Sequence, residues 1–199
     1  EDEDQPIVLV VGGPNDAGKS TASTAIVHDT VGIDRYINAD AIARGLSPFE
    51  PELSAVAAGR VMIEHIEHLA ASRESFALES TLSGVRLAQR LRRFEQTGYA
   101  IHLVYLWLPT MRLAMNRVHR RVSLGGHPVA EDVVKRRFIR SLRNLAEVYI
   151  PLAQTWRVYD SSEGDARMIA RGGTGSETLV LDEAKWRSIC DHREYGDER

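Results

Sequence analysis

Residues Gly12 to Thr21, reading GGPNDAGKST, constrain this chain more than any other stretch. Within them Gly13, Gly18, Lys19 and Ser20 satisfy G-x-x-x-x-G-K-[ST], whose glycines let successive backbone N–H groups turn inward around a phosphate. The apolar run 7–11 precedes the loop and a helix-compatible segment, 19–28, follows it. A strand feeding such a loop, and a helix whose positive dipole end faces the same point, make an anion site of defined chemistry. Lys19 is placed to reach the outer phosphates of ATP and the Ser20 hydroxyl to sit on Mg²⁺. Gly13, Asn15, Ala17, Gly18, Lys19, Ser20 and Thr21 are therefore the expected nucleotide-binding residues. A glycine-rich turn with a chance lysine would explain the motif but not its flanks.

Beyond the loop, apolar segments alternate between strand and helix character. Strands are expected at 35–38, 75–79, 99–108 and 155–159, and helices at 53–72, 85–97, 110–122, 130–149 and 182–190. A hairpin is expected from 167–171 and 178–181 around Gly172-Gly173-Thr174-Gly175. The continuous apolar run 99–108 points to a strand buried on both faces, with His102 as a packed core histidine and Trp107, Trp156 and Trp186 as core residues. Alternation of this kind predicts an α/β fold: a P-loop kinase-like three-layer sandwich with a central parallel sheet. The expected organisation is a disordered acidic start at 1–6, one kinase domain at 7–190 with a lid at about 112–143, and a polar tail at 191–199.

Composition narrows the class. No stretch approaches about 18 uninterrupted apolar residues, so no membrane span is expected, and the acidic opening is unlike a signal peptide. A single cysteine, Cys190, precludes an internal disulfide framework and suits a reducing cytoplasm. The net charge of −3 opposes a broad nucleic-acid surface. Of the 25 cationic residues 22 are arginine, and Arg117, Arg120, Arg121, Arg136, Arg137, Arg140 and Arg143 crowd either side of Gly125-Gly126. Arginines flanking a glycine hinge read as a lid that closes over a triphosphate and neutralises charge developing during transfer; solvated amphipathic helices are the plain alternative. His127, in the hinge, reads as a loop residue.

Ligands of parallel sheets bind beyond the carboxyl ends of the strands. Asp40 follows the second expected strand, Glu79 ends the third, and Thr81 comes two residues later. Two carboxylates and a hydroxyl beside a phosphate loop suit phosphoryl transfer: one carboxylate takes the acceptor proton while the others hold substrate or metal-bound water. Alone, Asp40 would serve as well as a helix cap; together, the three favour catalysis.

Gly12–Thr21, Asn38-Ala39-Asp40 with Ile42-Ala43, Glu79-Ser80-Thr81-Leu82-Ser83-Gly84 and the arginine-rich hinge together resemble the zeta toxin family of small kinases, in particular its short, stand-alone members. The resemblance spans roughly residues 7–190. It implies that Lys19 and Ser20 bind ATP and Mg²⁺, that Asp40 is the base, and that Glu79 and Thr81, with Asp40, hold the substrate. It also implies lid arginines from among Arg117, Arg120 and Arg121 and from Arg136 or Arg137. Of these, Arg117 is assigned to the nucleotide and Arg121 and Arg136 to catalysis. Family toxins phosphorylate the 3′-hydroxyl of the amino sugar in UDP-N-acetylglucosamine, so a nucleotide sugar is the implied acceptor and an antitoxin protein the implied partner. A kinase for another hydroxyl, such as a nucleoside, dinucleotide or antibiotic, or a nucleotide-binding regulator without turnover, are the alternatives. A transporter-type ATPase is disfavoured, because no strand ends in Asp-Glu and Thr81-Leu82-Ser83-Gly84-Val85 only grazes that class's signature. Two departures from the family stand out: Asp16 replaces a usual glycine, bringing a carboxylate beside the triphosphate, and Ser80 replaces a usual threonine.

Overall fold

The computed structural model describes residues 5–21, 33, 35–47, 54–126 and 128–191. Its centre is β1 (Ile7–Gly12), a run of branched apolar residues that pairs in parallel on both sides. One neighbour is β3 (Phe76–Ser80) and the other is β4 (Ala100–Trp107). β2 (Tyr36–Ile37) adds to β3, and β5 (Thr155–Asp160) adds to β4, both in parallel. β6 (Arg167–Gly173) and β7 (Ser176–Val180) extend the sheet as an antiparallel hairpin, giving the order β2-β3-β1-β4-β5-β6-β7. Registers Val11↔Glu79 and Val11↔Val104 bring the carboxyl ends of β1, β3 and β4 level. Whatever follows these strands therefore meets at one edge of the sheet.

The described helices are α1 (Ala39–Leu46), α2 (Ala55–Ala71), α3 (Arg86–Gln96), α4 (Met111–Ser123), α5 (Glu131–Asn144) and α6 (Glu183–Cys190). Helix α3 is amphipathic, burying Ala88, Leu91 and Phe94 while its arginines face outward. Phe94 meets Phe76 edge-on at 6.2 Å and Tyr99 at 5.9 Å, fastening the helix to β3 and the start of β4. Burial of Phe76, fully inaccessible, contributes about 1.5–3 kcal/mol. Both faces of β4 are covered along nearly all its length, as its apolar run requires.

Several expectations are revised. The segment expected as one helix over 130–149 is α-helical only to Asn144, and Leu145–Tyr149 form a π turn. His102 is half-buried rather than packed in the core, and its Nδ1 lies 2.7 Å from Thr155 Oγ1 on the adjacent strand. Gln5 and Pro6, grouped with the acidic start, lie along β4: Gln5 donates to the Gly98 carbonyl and Pro6 accepts from Ala100 N–H at 2.9 Å. Of the helix expected at 19–28, residues 19–21 are described; the remainder, most of the acidic start, most of loop 47–52, His127 and the tail from 192 lie outside the described residues. No described helix is long and apolar enough to cross a membrane.

Candidate active site

The phosphate loop leaves β1 at Gly12 and is shaped by two residues with positive φ. Gly13, at φ +149°, runs so close to β4 that a Cβ would lie 2.5 Å from the Leu106 carbonyl oxygen. Asp16 takes φ +55°, the left-handed region that glycine favours and that aspartate tolerates better than most residues. Its carboxylate is turned toward α4, where Oδ1 meets Arg121 Nη1 at 3.3 Å. The carboxylate that replaces the family's glycine is thus answered by a cation. Among the described residues Asp16 Oδ2 and Asn15 Oδ1 are buried without a hydrogen-bond partner. Two orphaned polar atoms in one loop mark a place built around something more than itself.

Lys19 begins the following helix and is almost wholly buried, its Nζ donating to the Pro14 carbonyl at 2.8 Å. Burial drives its pKa down from the ordinary lysine value, against the opposing pull of Glu79, Asp40 and Asp16; Arg121 reinforces the drop. Those five side chains therefore share one electrostatic neighbourhood. Glu79 Oε1 stands 3.9 Å from Lys19 Nζ, while Glu79 Oε2 accepts from Tyr36 OH at 2.6 Å, Ser20 Oγ at 2.8 Å and Asn38 Nδ2 at 2.9 Å. The strand-end glutamate is thus joined directly to the phosphate-loop serine. Asn38 also resolves the role of Asp40: its Oδ1 accepts from Asp40 N and Ala41 N, so Asn38 caps α1. Asp40 is left exposed in the first turn, released from capping.

Arg117, expected at the nucleotide, spends its guanidinium on main-chain carbonyls: Asp16 O at 3.3 Å, Ser161 O at 2.8 Å and Ser162 O at 2.7 Å. Ser161, just after β5, donates to the Ala17 carbonyl at 2.8 Å. Together they brace the phosphate loop against the end of β5. Arg136 is exposed on α5, and no ion pair or hydrogen bond joins it to the phosphate loop among the described residues. Thr81 lies past the end of β3 with its Oγ1 2.9 Å from Ser83 Oγ. Gly18 and Thr21 are exposed at the loop exit, and Ala17 is buried beneath it.

The oxygen-rich donor set fits the implied groups. Ser20 Oγ beside a carboxylate suits Mg²⁺, which keeps few protein ligands and takes the rest from water and phosphate. Among the described residues no group of three carboxylate, histidine or cysteine side chains offers an alternative metal site. Sequence reasoning missed Tyr36, Ser161 and the structural role of Asn38. The strand-end rule covers all three, since each lies at or near the carboxyl end of a strand.

A parallel sheet in this order, with a phosphate loop after β1 and a carboxylate ending β3, defines a P-loop kinase fold. Comparison with solved structures agrees. The chain is similar to one in the AvrRxo1-ORF1:-ORF2 complex crystallised with ATP, at 18% identity and TM-score 0.66 over 95% of this chain and 64% of that one. It is similar also to a chain from the PezAT chromosomal toxin–antitoxin system of Streptococcus pneumoniae, at 15% identity and TM-score 0.63 over 98% and 87%. A gluconokinase from Sinorhizobium meliloti 1021 aligns at 19% identity and TM-score 0.52 over 80% and 85%. The zeta-toxin-like architecture expected from the motifs is thus the fold of this chain, which spans less than two thirds of its AvrRxo1 counterpart. No described protein family matches the sequence. By sequence the chain belongs to the family of an uncharacterised protein of Haemophilus influenzae, to which it is 36% identical over 126 residues, 63% of this chain and 88% of that protein.

Proposed function

We propose that the protein is a Mg²⁺- and ATP-dependent phosphotransferase acting on an alcohol group, with a nucleotide sugar such as UDP-N-acetylglucosamine as acceptor. The observation that carries this reading is the convergence of Lys19, Ser20, Glu79 and Asp40 at the ends of β1, β2 and β3. The bound Mg²⁺·ATP supplies the γ-phosphoryl group and neutralises part of its charge. Ser20 would hold the metal, with Glu79 beside it, and Lys19 would exchange the Pro14 carbonyl for phosphate oxygens. Asp40, solvent-facing and free of capping, takes the proton from the acceptor hydroxyl as its oxygen bonds to phosphorus and the β–γ bridging oxygen departs with ADP. Thr81 and Glu79 orient the acceptor. Arg121, held at the loop by Asp16, stabilises charge on the transferring group, and Arg136 joins it on lid closure. Arg117 serves the nucleotide through the loop it braces.

The same reading carries with it a cytoplasmic site of action, a protein antitoxin as partner, one kinase unit over residues 7–190, and no role for nucleic acid or membrane. The deciding experiment is phosphorus NMR of the protein with Mg·ATP and UDP-N-acetylglucosamine. A new phosphomonoester resonance is expected, lost by a factor of about 10²–10⁴ in Asp40→Asn. ADP and free phosphate alone would redirect the search to other hydroxyl substrates. Untouched ATP in the wild type would favour a nucleotide-binding regulator.

A further inference from the structure

A cleft of about 490 Å³ opens where the loop after β3 meets α3 and α5, and its lining includes Thr81, Ser83, Arg86, Arg140, Arg143 and Asn144. Three guanidiniums face it and no carboxylate does. Among the described residues none of the three arginines has an ion-pair partner, although arginines elsewhere on these helices are paired, as Arg90 and Arg93 are with Glu67. Converging like charges with no counter-charge raise the energy of the empty site. The start of α3 breaks two further rules at the same place. Its N-cap, Val85, makes no side-chain capping bond, and its first turn has no acid but opens with Arg86. Helix N-termini favour Ser, Thr, Asp or Asn caps and disfavour cations. An anion seated in the cleft would answer the uncapped N–H groups and all three arginines together.

The cleft is also rigidly built. Asn144 Nδ2 donates to the Leu82 carbonyl at 2.7 Å, and Tyr149 OH donates to the Gly84 carbonyl at 2.7 Å. Leu82, at φ +54°, is fully buried against the end of β1, where a Cβ on Gly12 would meet its Cδ1 at 2.6 Å. The loop bearing Thr81 and Ser83 is therefore fixed both to α5 with its π turn and to the strand that feeds the phosphate loop. Ser80, also in the lining, immediately follows Glu79, so the cleft adjoins the acceptor side of the reaction centre.

We propose that this cleft binds a phosphate or diphosphate group of the acceptor, so that the substrate is a phosphorylated small molecule rather than a neutral nucleoside or a cationic antibiotic. The assignment rests on the kinase reading for what is done to the substrate, but not for the binding itself. Inorganic pyrophosphate is the probe, titrated calorimetrically into the full chain with the phosphate loop filled by Mg²⁺ and a non-hydrolysable ATP analogue. Binding is expected, weakened at least about tenfold in the double variant Arg140→Gln, Arg143→Gln and in Arg86→Gln by a smaller factor. Affinity that stays within about twofold in the double variant overturns the proposal. UDP-N-acetylglucosamine should displace the probe and N-acetylglucosamine should not; equal competition by the neutral sugar also overturns it. Should the analogue fail to bind the wild type, the kinase reading falls separately, and the titration is read on the nucleotide-free chain. There, loss of pyrophosphate in Lys19→Ala with retention in the arginine variant assigns it to the phosphate loop and rejects the cleft, and the reverse pattern supports the cleft.

Discussion

At Gly13 and Asp16 the backbone decides which side chains the phosphate loop tolerates. Gly13→Ala must open a 2.5 Å clash with a main-chain oxygen of β4 and hold a φ that L-residues avoid. A loss of about 2–4 kcal/mol, read by urea unfolding, is expected. Asp16 separates two effects that usually travel together. Asp16→Gly and Asp16→Ala both remove the Arg121 ion pair, but only alanine pays for φ +55°. The alanine variant should therefore be the less stable of the two by about 1 kcal/mol; equal stability would dismiss the account of backbone strain. The left-handed turn at Asp16 was legible in the sequence, because the family's glycine marks a position needing positive φ. Its pairing with Arg121 was not, because the two residues are over a hundred positions apart and nothing in a helix of many arginines distinguishes the one that reaches the loop.

Among the elements, strands and helices could be read from local periodicity, and the strand-loop-helix unit around Lys19 stands at the sheet edge where the motif demands it. The elements that support the candidate site were less legible. The π turn Leu145–Tyr149 has no periodicity of its own, and its value lies in a contact 65 positions away, Tyr149 OH on the Gly84 carbonyl. Asn144, in an amphipathic helix, gives no sequence sign that its amide reaches Leu82. Asn144→Ala should cost about 1–3 kcal/mol, because a buried carbonyl is left unsatisfied, and should raise the acceptor KM while leaving the ATP KM nearly unchanged. An equal rise in both would assign Asn144 a merely structural role. Tyr149 adds a pH signature. Burial pushes its phenol up to about 12 from an ordinary value of 10.0. The folded state thus holds the proton more tightly, and the resulting stabilisation is complete below pH 10 and lost as pH rises toward 12. That contribution is on the order of 2–3 kcal/mol, and Tyr149→Phe should remove it from the alkaline limb of a denaturation profile. An unchanged alkaline limb would mean that the phenol titrates normally.

For the whole molecule, the phosphate loop is a stability cost carried for the sake of its ligand. Lys19 is a buried ammonium whose pKa is lowered chiefly by desolvation, with Glu79 3.9 Å away as partial compensation. A lysine whose folded pKa is depressed penalises folding while protonated, and the penalty is lifted as pH rises from that depressed value to the ordinary 10.5. At neutral pH the nucleotide-free chain therefore carries the penalty in full. Triphosphate oxygens reaching Lys19 would remove it, so ligand binding and relief of strain act in one direction. Mg·ATP at about a hundred times its Kd should stabilise the chain by about 2.7 kcal/mol. For a chain of this length that is a rise in Tm of about 5–10 °C. Lys19→Met tests both halves of the account by differential scanning calorimetry. Removing the buried charge should leave the nucleotide-free Tm equal or higher, while the Mg·ATP-induced rise disappears. A variant that melts lower without nucleotide would show that the Pro14 hydrogen bond and the Glu79 attraction outweigh desolvation, and that Lys19 holds the empty loop together rather than waiting for phosphate.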